Sequence, residues 1–243
     1  MTVIERTRPA DVSEFSLRPS EVAAVAAGVV LTVVHVVRFA QAPDPWGWPL
    51  LVVLVAGLFA TDFVTGFIHW VGDTWGTEQS FLFGPRFIKP FRFHHAHPLD
   101  MLKSNFFVTN GDNALVVLPF LIGPFVMPLD SDVWRHLAVV SWVVGAWGMW
   151  TSQFHLWAHT KHPPRLVGWL QRRGVILGPK HHWRHHKSPF ATNYCISNGW
   201  CDPVLQRVRF FAGLEWVISR ATGLRPRGEL PASALRSPAR SLG

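Results

Sequence analysis

Residues 46–73 read WGWPLLVVLVAGLFATDFVTGFIHWVGD, an apolar run that closes in ionisable side chains. From Trp46 to Ile68 it carries one charged residue, Asp62, and then delivers His69 and, one helical turn later, Asp73. A stretch of this length can cross the hydrocarbon core of a bilayer, which takes about 20 apolar residues. The flanking sequence repeats the pattern. Val22 to Val37 is apolar apart from Thr32 and His35, and at roughly 16 to 18 residues is close to the minimum for a span. Ala114 to Leu129 forms a third run whose prolines predict a kink. A fourth, Trp134 to Trp157, ends among His155 and His159. Residues 41–45 and 130–132 are short turns, and Asn110-Gly111-Asp112-Asn113 reads as a capped start for the third helix.

Composition agrees with a membrane setting. Of the 243 residues 49% are hydrophobic and 16% charged, too apolar for an ordinary soluble domain. Thirteen tryptophans against one tyrosine suit the headgroup layer. The expected fold is therefore all-α: an integral membrane protein with about four transmembrane helices. A formal charge of +8 can signify nucleic acid, but beside apolar spans it points to anionic lipid headgroups, and no nucleic-acid partner is expected. The two cysteines, Cys195 and Cys201, are too few for a disulfide framework and read as free thiols. Residues 1–20 form a polar tail without a signal-peptide pattern, 21–225 one membrane domain, and 226–243 a Pro/Ser/Ala/Arg-rich tail predicted to be disordered. Apolar positions at Leu205, Val208, Phe211, Leu214, Val217 and Ile218 predict a helix over 203–222 lying on the membrane surface.

Lysine and arginine give an orientation. The N-terminal tail holds three, the 72–111 loop four and the region after residue 160 fourteen, leaving only Arg38 and Arg135 for the opposite side. By the positive-inside rule both termini and the long loop are cytoplasmic. Ten of the thirteen histidines then gather on that face, although they took no part in the count.

Those histidines are spaced for metal. The stretch Lys180-His181-His182-Trp183-Arg184-His185-His186 puts four histidines in six residues. The pairs His155/His159, His181/His185 and His182/His186 each sit four apart, on one face of a helix. A solvated basic run would use lysine and arginine, because histidine is mostly neutral near pH 7. Isolated His35, His136 and His162 read instead as packing or headgroup contacts. Asp73 is a ligand, a partner orienting a ligand, or a helix-end residue. One ion cannot use eight to ten imidazoles, so two ions are implied, and a histidine-rich di-iron centre that activates O2 is the natural reading.

The motifs also resemble a known family. Asp62-Phe63-Val64-Thr65-Gly66-Phe67-Ile68-His69-Trp70 with Asp73-Thr74-Trp75-Gly76, Pro90-Phe91-Arg92-Phe93-His94-His95, Thr109-Asn110-Gly111-Asp112-Asn113, Gln153-Phe154-His155-Leu156-Trp157-Ala158-His159, HHWRHH at 181–186, and Tyr194-Cys195-Ile196 are similar to the plasmanylethanolamine desaturase family. That family shares its lipid desaturase domain with the plant plastid desaturase that makes a trans double bond in palmitate. The resemblance implies an O2-dependent, histidine-ligated di-iron membrane enzyme that turns plasmanyl ether phospholipids into vinyl ether plasmalogens. The alternatives are a fatty acyl-lipid desaturase of the plant type and a non-catalytic metal-binding membrane protein. No haem- or flavin-binding segment is recognisable, so electrons are expected from a separate b-type cytochrome or ferredoxin with its reductase. Two departures mark the chain. The stretch Ser104-Asn105-Phe106 lacks the histidine found before the Phe in animal relatives, and His97 stands where they have none. The expected ligands are His69, His94, His95, His155, His159, His182, His185 and His186, with His181, His97 and Asp73 as candidates for direct or supporting roles.

Overall fold

The computed structural model describes residues 17–42, 47, 49–81 and 84–227. Among them there are ten α-helices and no strands. Helix α1 spans Pro19–Ala40, α2 Pro49–Thr74, α3 Lys89–Ala96, α4 Phe106–Ile122 and α5 Asp132–Gly148. Shorter elements follow: α6 Thr151–His159, α7 Arg165–Arg172, α8 Pro179–His185, α9 Asp202–Arg207 and α10 Phe210–Thr222. The lead-in residues Trp46 and Trp48 lie outside the described residues, as do 1–16 and 228–243, which hold most of the two expected tails.

Among the described residues, three helices are long and apolar enough to cross a membrane: α1, α2, and α4 with its 3-10 extension to Val126. Their exposed positions include Val30, Val33, Leu51, Val52 and Ile122, aliphatic side chains suited to hydrocarbon. Helices α1, α2, α4 and α5 pack into one bundle, α1 on α4, α2 on α5, and α4 on α5. A Cβ on Gly57 of α2 would meet Val143 of α5 at 2.6 Å, so this glycine is what lets the two backbones approach. His35 is packed as expected, fully buried with Nε2 2.7 Å from the Leu121 carbonyl.

The fourth span differs from its sequence reading. Trp134 to Trp157 is two helices, α5 and α6, parted at Met149 and Trp150. The Gly148 carbonyl is taken by Asn113 Nδ2 at 2.6 Å and by the Thr151 hydroxyl at 2.8 Å. A local Trp150 N–H to Trp147 carbonyl bond closes the turn. Helix α5 is 17 residues long and does not by itself have the length of the three candidate spans.

Two other boundaries move. Helix α4 starts at Phe106, because Asn105 accepts the Phe107 and Val108 amides at 3.0 Å each. Asn110 to Asn113 are therefore inside the helix, where Asn110 reaches Gln153 across to α6 at 3.1 Å. The helix expected over 203–222 is broken at Arg209, whose φ of 54° is left-handed. Arg227, which the sequence places in the tail, is buried against the bundle. Both cysteines are free.

Candidate metal centre

Four local patterns carry the ligands inward. At the end of α2, His69 and Asp73 are one turn apart and face the same way. On α6 the pair is His155 and His159; on α8 it is His182 with His186, the residue that ends the helix. On α3 the neighbours His94 and His95 stand about 100° apart around the axis, as adjacent helical residues must. Each consequently enters a different cluster.

Nine of the eleven candidate residues come together in two groups. His94, His155, His159, His182 and His186 form the first; His69, Asp73, His95 and His185 form the second. Within each group the available ligand atoms lie within 4.8 Å of one another. In the first, His182 Nε2 lies 2.7 Å from His155 Nε2, 2.8 Å from His159 Nε2 and 2.9 Å from His186 Nε2, while His94 and His159 are 3.1 Å apart. In the second, His95 and His185 approach at 2.8 Å, and Asp73 Oδ2 lies 3.2 Å from His185 Nε2 and 3.3 Å from His69 Nε2. The groups share a wall, with the His185 and His186 rings 5.7 Å apart.

Protonation favours ligation. Burial, reinforced by neighbouring imidazoles, holds His94, His95 and His182 well below the ordinary histidine range and pushes His159 down to about 4 and His186 to about 3. These rings are neutral at pH 7, each with a nitrogen lone pair to give. In the second group the tautomer is fixed as well. His69 Nδ1 donates to the Tyr194 carbonyl at 2.9 Å and His185 Nδ1 to the Thr192 carbonyl at 2.8 Å. Their Nε2 atoms are left bare, and they converge on Asp73, a buried carboxylate whose two oxygens have no hydrogen-bond donor among the described residues. Lone pairs facing a carboxylate at such distances repel, and a cation between them removes the repulsion. The donor set thus fits metal in both groups, with N and O donors of the kind iron accepts.

His181 and His97 stay outside both groups. The ring of His181 lies 2.6 Å from the Asp202 carboxylate, while His97 packs at a tilt against Phe93, 4.7 Å between centroids. His181 is turned about 100° around α8 from the adjacent His182, and His97 lies past the end of α3 with a φ of −133°, outside the helical register.

Supporting residues escaped the sequence reading. Asp62, buried inside α2, accepts the amides of Asn198, Gly199 and Cys201 at 2.9 Å each and so pins the loop after α8. One turn later Gly66 leaves room for that loop; a Cβ there would meet Cys195 Sγ at 2.5 Å. Asn193 takes a φ of 57°, tolerated by asparagine, between the two carbonyls that hold His185 and His69. A charge in an apolar span is itself a signal, and Asp62 was visible on that ground.

The fold and the site define an all-helical protein with candidate membrane spans and two buried histidine-rich ligand groups. A lipid desaturase domain model matches residues 58–229. The chain is 40% identical over 223 residues to the plasmanylethanolamine desaturase of Myxococcus xanthus, covering 91% of this chain and 79% of the relative. It is 37% identical over 205 residues to plasmanylethanolamine desaturase 1 of Mus musculus, covering 81% and 74%. Fatty acid desaturase 4, chloroplastic, of Arabidopsis thaliana is 32% identical over 176 residues, covering 71% and 52%. The chain belongs to the plasmanylethanolamine desaturase family and is an oxidoreductase, a lipid desaturase. No solved structure matches.

Proposed function

We propose that this enzyme converts plasmanyl phospholipids to plasmenyl phospholipids. Two hydrogens leave the first two carbons of the alkyl chain beside the ether oxygen. With two electrons and two protons from outside, O2 leaves as two waters, which balances the oxidation. The observation that carries the reading is the pair of adjoining ligand groups, nine side chains brought together by four helices, five of them buried and four half-buried. Two iron ions would be held there, His94, His155, His159, His182 and His186 around one and His69, Asp73, His95 and His185 around the other. When bound, they supply the O2 activation that breaking an unactivated C–H bond demands.

The chain's own part is to hold and to shield. The Thr192 and Tyr194 carbonyls keep protons on the Nδ1 atoms of His185 and His69. Full burial of His69, His182 and His185 excludes bulk water from the pocket walls. Helix α5 is read as a fourth crossing, giving four spans with both termini and the metal site on the cytoplasmic side. The basic residues counted there suit an acidic electron carrier, a b-type cytochrome or ferredoxin served by a reductase.

The chloroplast relative supports one other substrate, an acyl-lipid chain. Expression in a host that lacks plasmalogens, supplied with alkyl ether lipids, separates the two by lipid mass spectrometry. New vinyl ether lipids are expected. A new acyl double bond without any vinyl ether would replace the first reading with the second.

A further inference from the structure

The end of the described chain returns to the metal pocket. Arg227, 7% exposed, lies beyond α10, yet its backbone N–H donates to the carbonyl of Thr74 at 2.8 Å. Its Nη1 donates to Thr74 Oγ1 at 3.1 Å, to the Tyr194 hydroxyl at 3.2 Å and to Glu215 Oε1 at 2.9 Å, and Nη2 pairs with Glu215 Oε2. Glu215 Oε1 also accepts from the indole of Trp70 at 3.0 Å.

Each partner adjoins a ligand of the second group or holds one. Trp70 follows His69 and Thr74 follows Asp73, while the Tyr194 carbonyl receives the His69 ring proton. Thr74 is the last residue of α2, so its carbonyl lacks a helical donor, and the turn carrying His69 and Asp73 is the one most prone to fray. Arg227 supplies that donor from its backbone. Its planar guanidinium then reaches three side chains at once, a geometry an ammonium group cannot match.

We propose that Glu215 and Arg227 form a positioning clasp that sets His69 and Asp73 for the second ion, making the C-terminal segment part of the active site. The clasp rests on the two-iron reading. It lies inside the matched lipid desaturase domain, which runs to residue 229. No bond of the clasp reaches α3, α6 or α8, where the first group resides, so the effect is confined to one ion.

The test counts metal rather than turnover. Full-length wild type, the Glu215→Gln/Arg227→Gln double variant and Arg227→Lys are purified metal-free in detergent and titrated anaerobically with ferrous iron. The double variant removes both charges together and leaves no lone buried ion. Wild type should take two ions per chain. Both variants should keep one at wild-type affinity and bind the other about 10- to 100-fold more weakly, as when a residue supporting a ligand is lost. Two ions at unchanged affinity would overturn the clasp, and so would equal loss of both, which marks a general brace of the fold. If the double variant aggregates, Arg227→Lys and Tyr194→Phe carry the same comparison. A wild type that takes one ion defeats the two-iron reading instead, and the clasp then stands or falls on whether the variants weaken that ion.

Discussion

The two ligand groups are held by opposite means. The first is all imidazole, five rings from α3, α6 and the end of α8, and the Nδ1 atoms of His159, His182 and His186 have no hydrogen-bond partner among the described residues. Its rings are placed by helix packing and by i,i+4 spacing alone. The second is braced from outside. Carbonyls of one loop fix two of its tautomers, Asp73 gives it a negative charge, and Asp62 pins the loop from within α2. One group is all imidazole and adaptable, the other contains a carboxylate and is fixed, so two ions bound there would not be equivalent. The carboxylate would favour the more highly charged state of a metal held on its own side.

The largest effects should come from the centre of each group. His182→Ala removes the ring that touches three others in the first group, and His185→Ala removes a tautomer-fixed ligand of the second. Each should reduce vinyl ether formation to background while membrane insertion persists. Each should also cost a different single ion, counted by elemental analysis per chain. Retained turnover in either variant would remove that residue from the ligand set, and loss of both ions from either would erase the division into two groups.

Asp62→Ala should come next. Three amides, two buried and one half-buried, lose a charged acceptor, and hydrogen bonds to charged groups contribute about 1.5–3 kcal/mol each. The loop they belong to carries the carbonyls of the second group, so thermal stability should fall by on the order of 10–30 °C and second-group metal should weaken before the first. An unchanged melt would show that the loop is held elsewhere. Asp73→Asn is gentler, because the amide keeps an oxygen and the shape while the charge disappears. Metal in the second group should bind at least about 10- to 100-fold more weakly, the loss that follows even when a partner orienting a ligand is removed, with the first group untouched. Equal weakening of both would mean that one charge serves the whole pocket.

Much of this was legible in the residues. Apolar runs marked α1, α2 and α4, and spacing of four marked His155/His159 and His182/His186, because burial and helix faces are written in the order of side chains. What was hidden depends on who satisfies the backbone. The break before α6 turns on Asn113 reaching the Gly148 carbonyl from another helix, and the start of α4 on Asn105 rather than on the more conspicuous Asn110 to Asn113. Arg227 read as tail because its partners, Thr74, Tyr194 and Glu215, are distant in sequence and only the fold brings them together. The histidine spacing pointed to ligand groups of the kind that come together here, but was silent on which of two neighbours joins them.

That silence makes His97 and His181 the sharpest small test. His97 ends α3 two residues past His95, on a part of the turn that points to Phe93, and His181 precedes His182 on α8 and is engaged by Asp202. His97→Ala should leave both ions in place and activity within about twofold, the scale of a substitution away from core and site. His181→Gln should do somewhat more, because the Asp202 carboxylate it faces is buried, but it should still bind two ions per chain. The contrast with His182 is then between adjacent residues on one helix, about 100° apart. If His181→Gln instead loses an ion as completely as His182→Ala, α8 presents a different face to the pocket, and the first group would have to be redrawn around His181 and His185.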